Sequence, residues 1–344
     1  MKKYLVLFIC LILSGCKETE TIIEDKEYTL NHNGGYYQIY VPYKAGVGEK
    51  YFITDSNNQY DVDYIEKGLL DLSSEHFSPS ELYYQEGQYL KKKDLSNLLS
   101  KDKLNKANKI TEDGVSFVPN YIVSIYEENF LDSKGKIQGV SLGIVVNRHQ
   151  TYKNKSKKIV TKTISEEKVI AHVKEQVPVL IEQIRKKSGL ENVEVLVAIY
   201  IESAPNSAVS GNYRYYGITE NNDVNWKNLN NSKHYVNSVS AKNLDSNSYN
   251  DYQLFESKVK KTMSDLYISS MGYYQSNKLT KLDIRITRSS YSYGELLLLG
   301  NVVSENIMKY LGNSEVIVEI REINEIKAYI SKAANAQTVD VFIY

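Results

Sequence analysis

The sequence predicts an α+β protein. It reads as two related modules, each running helix, strand, helix, strand with the helices packed on small sheets, behind a lipoprotein signal peptide. Three observations support this. Apolar residues recur at helical spacing in two long segments, Ser165–Lys187 and Ser292–Leu311, and a run rich in β-branched residues closely follows each. Short peptides recur between the two halves. The first sixteen residues, MKKYLVLFICLILSGC, differ in character from all that follow.

The leader comes first. Lys2 and Lys3 form a positive n-region, and Tyr4–Leu13 is an uncharged, mostly apolar stretch of ten residues. That is short of the roughly 20 residues a spanning helix needs and has the proportions of a secretory signal. Leu13-Ser14-Gly15-Cys16 reads as a lipobox for signal peptidase II. Ser14 and Gly15 are small enough for an extended backbone in a peptidase groove. Cys16 supplies the thiol that lipoprotein diacylglyceryl transferase joins to diacylglycerol. Cleavage before Cys16 then leaves it as the first mature residue, held in the lipid bilayer at the outer face of the plasma membrane.

Composition sets the remaining bounds. Removing residues 1–15 leaves 329, enough for two domains with cores of their own. The chain balances 42 Lys and Arg against 42 Asp and Glu. The leader takes two lysines and no acid, so the mature chain is near neutral, which argues against nucleic acid as a partner. Cys10 leaves with the leader and Cys16 takes the lipid, so no disulfide forms. No later run of 18 apolar residues offers a second span.

Residues 16–34 are polar and acidic and read as a lipidated tether. The first module covers 35–218. Tyr36–Pro42 and Tyr51–Thr54 are strand-like, and Asp55–Gln59 is a polar turn. Ile65, Leu69 and Leu72 mark a helix, with Asp63 and Glu66 at capping-box spacing. Ser80 is placed to cap a short helix from Glu81. Leu95, Leu98 and Leu99 suggest another. Val115–Val118, Tyr121–Tyr126 and Ser141–Asn147 read as strands. Arg148–Lys162 carries six basic residues and no acid, the pattern of a solvated hairpin that could lean on anionic lipid or wall polymer. The Ser165–Lys187 helix has the stripe Val169, Ile170, Val173, Val177, Leu180, Ile181 and Ile184, a Pro178 expected to kink it, and Gly189 as a C′ residue. Val193–Ile201 is a strand suited to burial on both faces.

Residues 203–248 are rich in Asn, Ser and Tyr, and 219–245 is read as the linker. The second module, 246–344, repeats the theme. Asp251–Tyr267 and Ser292–Leu311 read as helices, the latter with a Ser292/Glu295 capping box and a stop at Gly312. Leu279–Thr287, Val316–Ile320 and Val339–Tyr344 read as strands. Tyr83-Tyr84-Gln85 echoes Tyr273-Tyr274-Gln275, and Glu194-Val195-Leu196-Val197 echoes Glu315-Val316-Ile317-Val318.

Several stretches carry a family resemblance. They are Tyr36-Tyr37 to Pro42-Tyr43-Lys44-Ala45, YDVDYIEKGLLDLSSEHFSPSELYYQEGQYL over Tyr60–Leu90, and, more loosely, Gly139–Asn147 and Glu295–Leu311. On these the chain resembles the CamS family of sex-pheromone-precursor lipoproteins of Gram-positive bacteria, also described as two-repeat proteins. The resemblance implies that the released leader is trimmed to a hydrophobic peptide that induces plasmid conjugation through a peptide receptor. Here that peptide is Phe8-Ile9-Cys10-Leu11-Ile12-Leu13-Ser14-Gly15. It has no charged side chain, so its specificity has to come from shape.

Other motifs read as structural. Gly139-Val140-Ser141-Leu142-Gly143 matches G-x-S-x-G but lacks the strand–Ser–helix context of a nucleophile elbow. Asp55, Asn57, Gln59, Asp61, Asp63 and Glu66 fit a calcium-loop template, except that Tyr60 stands where Gly is required. The five histidines show no ligand spacing, so no metal is expected. No phosphate loop or dinucleotide fingerprint implies a cofactor. The expectation is a non-enzymatic anchored lipoprotein with a pheromone leader. The alternative is a solute- or partner-binding lipoprotein without a pheromone role, to be favoured by a Tyr-lined pocket between the repeats. A weaker third reading is an extracytoplasmic hydrolase.

Overall fold

In chain order the first half runs β1 (Gln38–Ile39), α1 (Val62–Ser74), β2 (Tyr83–Glu86), α2 (Lys92–Leu98), β3 (Ile110–Glu112), β4 (Val115–Phe117), β5 (Ile122–Leu131), β6 (Ile137–Val146), β7 (His149–Lys153), β8 (Ile159–Thr163), α3 (Glu166–Arg185), β9 (Glu194–Ile201), β10 (Asn212–Glu220) and β11 (Asp223–Asn228). The second half runs β12 (Asn231–Tyr235), α4 (Val239–Leu244), α5 (Ser246–Thr262), β13 (Tyr267–Gln275), β14 (Lys278–Arg288), α6 (Tyr293–Tyr310), β15 (Glu315–Glu322), β16 (Glu325–Lys332) and β17 (Asp340–Ile343). This computed structural model describes residues 36–48, 62–207, 209–263 and 265–344. The expected leader, tether, 51–54 strand and 55–59 turn lie outside them.

The first sheet has the order β1-β2-β5-β6-β9-β10-β11 and the second β12-β13-β14-β15-β16-β17. Each has at its centre a parallel pair joined by a long helix, β6 and β9 through α3, and β14 and β15 through α6, and the first sheet adds a short parallel pair, β1 with β2, at its edge. An antiparallel hairpin strand lies on either side of the pair, β5 and β10 in one sheet, β13 and β16 in the other. The expected two α+β modules are therefore present, with helices on mixed sheets.

The peptide echoes fare differently. Glu194–Val197 and Glu315–Val318 occupy the same place, the first four residues of β9 and β15. Their parallel partners start at Gly139 and Lys281. Tyr83-Tyr84-Gln85 lies in β2, outside the hairpin, whereas Tyr273-Tyr274-Gln275 lies in β13, inside it. The counterpart of β13 is β5, so that echo is not topological.

Burial separates the two sheets. The central strands of the first are buried on both faces, and Val195–Ile199 are fully enclosed. Gly139, Ser141 and Gly143 of β6 face α1. A Cβ at Gly139 would lie 2.2 Å from the Phe77 ring, and one at Gly143 2.7 Å from the Tyr213 hydroxyl. The small residues of the G-x-S-x-G stretch thus let a helix lie close against a strand, and Ser141 Oγ is bonded to Ser73 Oγ of α1 at 2.7 Å. The opposite face of β6, equally buried, is left to the apolar stripe of α3, which runs unbroken through Pro178. The second sheet alternates along β13, β14 and β15. Its inward side chains join α5 and α6 in a separate core, and its other face stays polar.

Three expectations change. Ser80 caps no helix; it lies in a turn, and Tyr83–Glu86 becomes a strand because both β1 and β5 are there to pair with it. Residues 219–245 form the end of β10 and all of β11, β12 and α4, so only Leu229 and Asn230 separate the sheets. β11 and β12 are edge strands, half solvated, and their Asn- and Ser-rich composition imitates a linker. Gly189 is not the C′ residue of α3. The cap is Lys186, and Gly189 takes φ +87° in the turn beyond it. The basic stretch forms the antiparallel β7–β8 hairpin, as expected.

Candidate functional site

Where α1 meets the second sheet there is a cleft of about 470 Å³. One wall is the polar stripe of α1, Tyr64, Lys67 and Asp71, continued by Glu75 just past the helix end, beside the core stripe Ile65, Leu69 and Leu72. Gly68 brings this wall within reach of the floor, since a Cβ there would sit 3.0 Å from the Tyr213 ring. Tyr213 and Tyr200 meet edge to face at 5.1 Å, and the Tyr213 hydroxyl donates to Ile65 O at 2.9 Å.

The second wall comes from β12, β13 and β14. Ile268, Tyr274, Leu282, Ile284 and Ile286 point into the second core, so strand alternation puts Tyr273, Lys281 and Asp283 on the cleft side. The ladder is interrupted by a bulge between Tyr273 and Tyr274, at the cleft itself. Lys233 pairs in register with Tyr273 and joins this face.

The polar groups converge. Tyr273 donates to Asp283 Oδ2 at 2.7 Å. Asp283 Oδ1 is enclosed and accepts from no donor among the described residues, with Lys281 Nζ standing 3.8 Å away. Lys281 Nζ pairs with Glu315 at 2.9 Å. Lys233 Nζ donates to Ser210 Oγ at 2.6 Å and lies 3.5 Å from the centre of the Tyr64 ring. Burial, reinforced by hydrogen bonds to Asp283 and Tyr64, pushes the Tyr273 phenol well above its ordinary range. Burial works against the charge on Lys281, but the Glu315 and Asp283 carboxylates outweigh it and hold the ammonium above its usual pKa.

The lining thus holds three ammonium groups, Lys67, Lys233 and Lys281, against three carboxylates, Asp71, Glu75 and Asp283. Balanced charge, tyrosine rings and hydroxyls, and one enclosed acceptor lacking a donor suit a polar ligand that carries both donors and acceptors.

Other features have structural roles. Glu127 accepts from the backbone N–H groups of Gln88, Tyr89 and Leu90 at 3.0, 3.0 and 2.6 Å, pinning the loop before α2. The void beside it, about 20 Å³, is room for a water. His76 pairs with Glu194 at 2.8 Å and His172 Nε2 meets Leu104 O at 2.8 Å. Among the described residues no group of three or more His, Cys, Asp or Glu could hold a metal, and no helix is long and apolar enough to cross a membrane.

Leu13, Ser14, Gly15, Cys16 and the Phe8–Gly15 peptide lie outside the described residues. So do four of the six calcium-template positions; Asp63 and Glu66 sit in the first turns of α1. Sequence reasoning missed the cleft residues. The signal was present in α1, where Tyr64, Lys67 and Asp71 form a second stripe around a mid-helix glycine. Their partners on β12–β14 are distant in sequence and gave none.

A family model described as CamS sex pheromone cAM373 precursor matches residues 43–338. The crystal structure of a sex pheromone precursor from Lactobacillus salivarius subsp. salivarius UCC118 superposes with a TM-score of 0.82 at 23% identity, covering 92% of this chain and 98% of that one. The structure of the C-terminal domain of the sex pheromone staph-cAM373 precursor from Staphylococcus aureus gives 0.73 at 23% identity, covering 84% and 98%. No curated protein matches the chain.

Proposed function

The chain belongs to the CamS sex pheromone precursor family, and from that premise we propose that it is made as a lipoprotein whose cleaved leader is the pheromone precursor. Signal peptidase II cuts before Cys16 after diacylglyceryl transfer. The mature chain stays on the outer face of the plasma membrane, and Phe8–Gly15 is released toward a peptide receptor on plasmid-bearing cells. The observation that carries this is the lipobox Leu13-Ser14-Gly15-Cys16 at the end of a charged-then-apolar leader. The family match begins at residue 43, beyond leader and tether alike.

Mass spectrometry of culture supernatant for Phe8–Gly15 and its trimmed forms tests the reading, with synthetic peptide applied to plasmid-bearing recipients. Peptide that is present and induces aggregation or transfer supports it. An absent or inert peptide removes the pheromone role.

The cleft favours a second activity for the mature chain, binding of a polar solute. Its balanced charges, and Asp283 Oδ1 without a donor, support a ligand with both an ammonium and a carboxylate, such as a short peptide. Calorimetry with a zwitterionic tripeptide tests this. Heat that disappears in Tyr64→Ala and Lys233→Ala supports it, and equal heat in wild type and both variants overturns it.

A further inference from the structure

We propose that the end of the first module formed by the β3–β4 and β7–β8 hairpins is a docking surface for a phosphodiester polymer of the cell exterior. Residues 101–118 and 148–163 together carry ten Lys and Arg and three Asp and Glu, in a chain whose totals balance at 42 each. The β7–β8 segment, with six of these cations and no acid, therefore carries a positive excess that overall neutrality conceals.

The β3–β4 hairpin braces the basic β7–β8 hairpin in a fixed array. Phe117 and Tyr152 stack at 4.8 Å with ring planes 9° apart. Lys162 pairs with Glu112 at 3.1 Å, and Tyr152 donates to Asp113 at 3.2 Å. Gln150 is buried and ties Asn120 to Asn147 through both ends of its amide. The acids of β3 and its turn are thus spent on holding the hairpins together, while Lys101, Lys153, Lys155, Lys157 and Lys158 remain exposed. Between the hairpins runs a groove of about 640 Å³, with Lys101 and Lys153 among its lining residues.

The residue types select the partner. Nine of the ten cations are lysines, hydrated point charges that neutralise a repeating anion without fixing its geometry; an isolated phosphate would call for a bidentate arginine. The aromatic rings of this face stack on each other, so they make a poor platform for nucleic-acid bases.

The choice of polymer over bilayer rests on the anchoring reading and is decided by the vesicle arm of the experiment below. The described chain begins at Tyr36 and joins the sheet through β1, beside Tyr83 and Leu131, at the β5–β6 turn. The basic hairpin leaves the other end of β6. Ten residues of β5 separate the two ends, about 30 Å at roughly 3.4 Å per residue. The basic hairpin thus lies at the opposite end of β5 from Tyr36, where the described chain begins.

The experiment is equilibrium binding of the full chain in nonionic detergent to poly(glycerol phosphate) across a salt series. Oligo-dT of matched phosphate number and vesicles of phosphatidylglycerol with phosphatidylcholine are the competing probes. Lys153, Lys155, Lys157 and Lys158 are changed to Gln together. A control with the same charge loss changes Lys258, Lys261, Lys278 and Lys309 to Gln. The proposal expects the hairpin variant to lose at least about tenfold in affinity, and its log–log salt slope to flatten by about 3, near 0.7–0.9 per removed contact. The control should stay within about twofold of wild type. Equal losses in the two variants, no polymer binding, or tighter binding to oligo-dT or vesicles overturns it.

Discussion

Arg288 Nη1 donates to Glu295 Oε1 at 2.7 Å, binding the end of β14 to the first turn of the crossover helix α6. Arg148 and Glu166 make the corresponding contact in the first module, at 3.5 Å between the end of β6 and the first turn of α3. Both helices open on a serine cap, Ser165 or Ser292. This shared joint is stronger evidence for the internal repeat than any of the peptide echoes.

The joint predicts an acid response. The Arg288 hydrogen bond, with the Ser292 backbone and side chain, holds the Glu295 carboxyl down to about 2, against 4.5 for an ordinary glutamate. A depressed carboxylate adds stability that is complete above the unfolded value and is lost as pH falls toward the folded one. Thermal melting of wild type should therefore weaken between about pH 5 and pH 2. The Glu295→Gln variant should be less stable at pH 7 and lose less over that window. Parallel melting curves for the two proteins would remove the assignment.

Close packing of α1 on β6 predicts a contrast between glycines. Gly139→Ala places a Cβ against the Phe77 ring, and urea unfolding should show a loss of about 1–3 kcal/mol. Gly294, in the first turn of α6, has nothing within 4 Å of its added Cβ, so Gly294→Ala should be neutral or gain up to about 1 kcal/mol. Equal effects at the two sites would show that the contact does not limit packing.

Alkaline titration should reveal the buried tyrosines. Burial raises the phenols of Tyr37, Tyr213, Tyr252 and Tyr273 well above their ordinary range. Their neutral forms are favoured in the fold, so the stability they give is complete below about pH 10 and falls as pH rises beyond it. Phenolate absorbance should show a reversible group of fewer than all 30 tyrosines, followed by a late step that coincides with unfolding. Reversible titration of all 30 with the fold intact would contradict this.

Lys332 is 2% exposed, and its ammonium donates to Gly312 O at 2.5 Å and Ala333 O at 2.9 Å, closing the end of α6. Lys332→Met keeps the stem and removes the charged donor from both carbonyls, leaving Gly312 O to the Asn335 N–H at 3.2 Å and Ala333 O to the Ala336 N–H at 3.1 Å. Denaturant unfolding should show a loss of about 1–3 kcal/mol. An unchanged midpoint would mean that water replaces the ammonium fully.

Cys16→Ala should leave the leader uncleaved and abolish lipid attachment. Two acyl chains on one residue, at about 0.8 kcal/mol per buried CH₂, hold a chain far more tightly than a single chain does. Fractionation and intact-mass measurement read the outcome directly. Processing and membrane retention unchanged from wild type would rule out the lipobox assignment.

Much of the fold was legible. Helix α3 carried an unbroken apolar stripe, α6 a stripe with a capping box, and β9 a β-branched run, all strong local signals. β13 and β16 were not read as strands. β13 turns Ser270 and Gly272 inward among larger residues, which dilutes its apolar alternation. β11 and β12 resembled a linker because an edge strand needs little apolar surface. Of the candidate cleft, only the α1 stripe could be read in advance.

The sequence by itself determined the helices with clear stripes and the order of strand, helix and strand around them. Each of these depends on neighbours within a few turns of chain. Tertiary structure decided which strands share a sheet and why Gly139 and Gly143 are small. It also set Tyr64 and Lys67 opposite Tyr273, Lys281 and Asp283, and fastened the β3–β4 hairpin to the basic β7–β8 hairpin. Those relationships join residues up to about two hundred positions apart. No local period encodes them, because it is burial of the two cores that fixes where the polar faces meet.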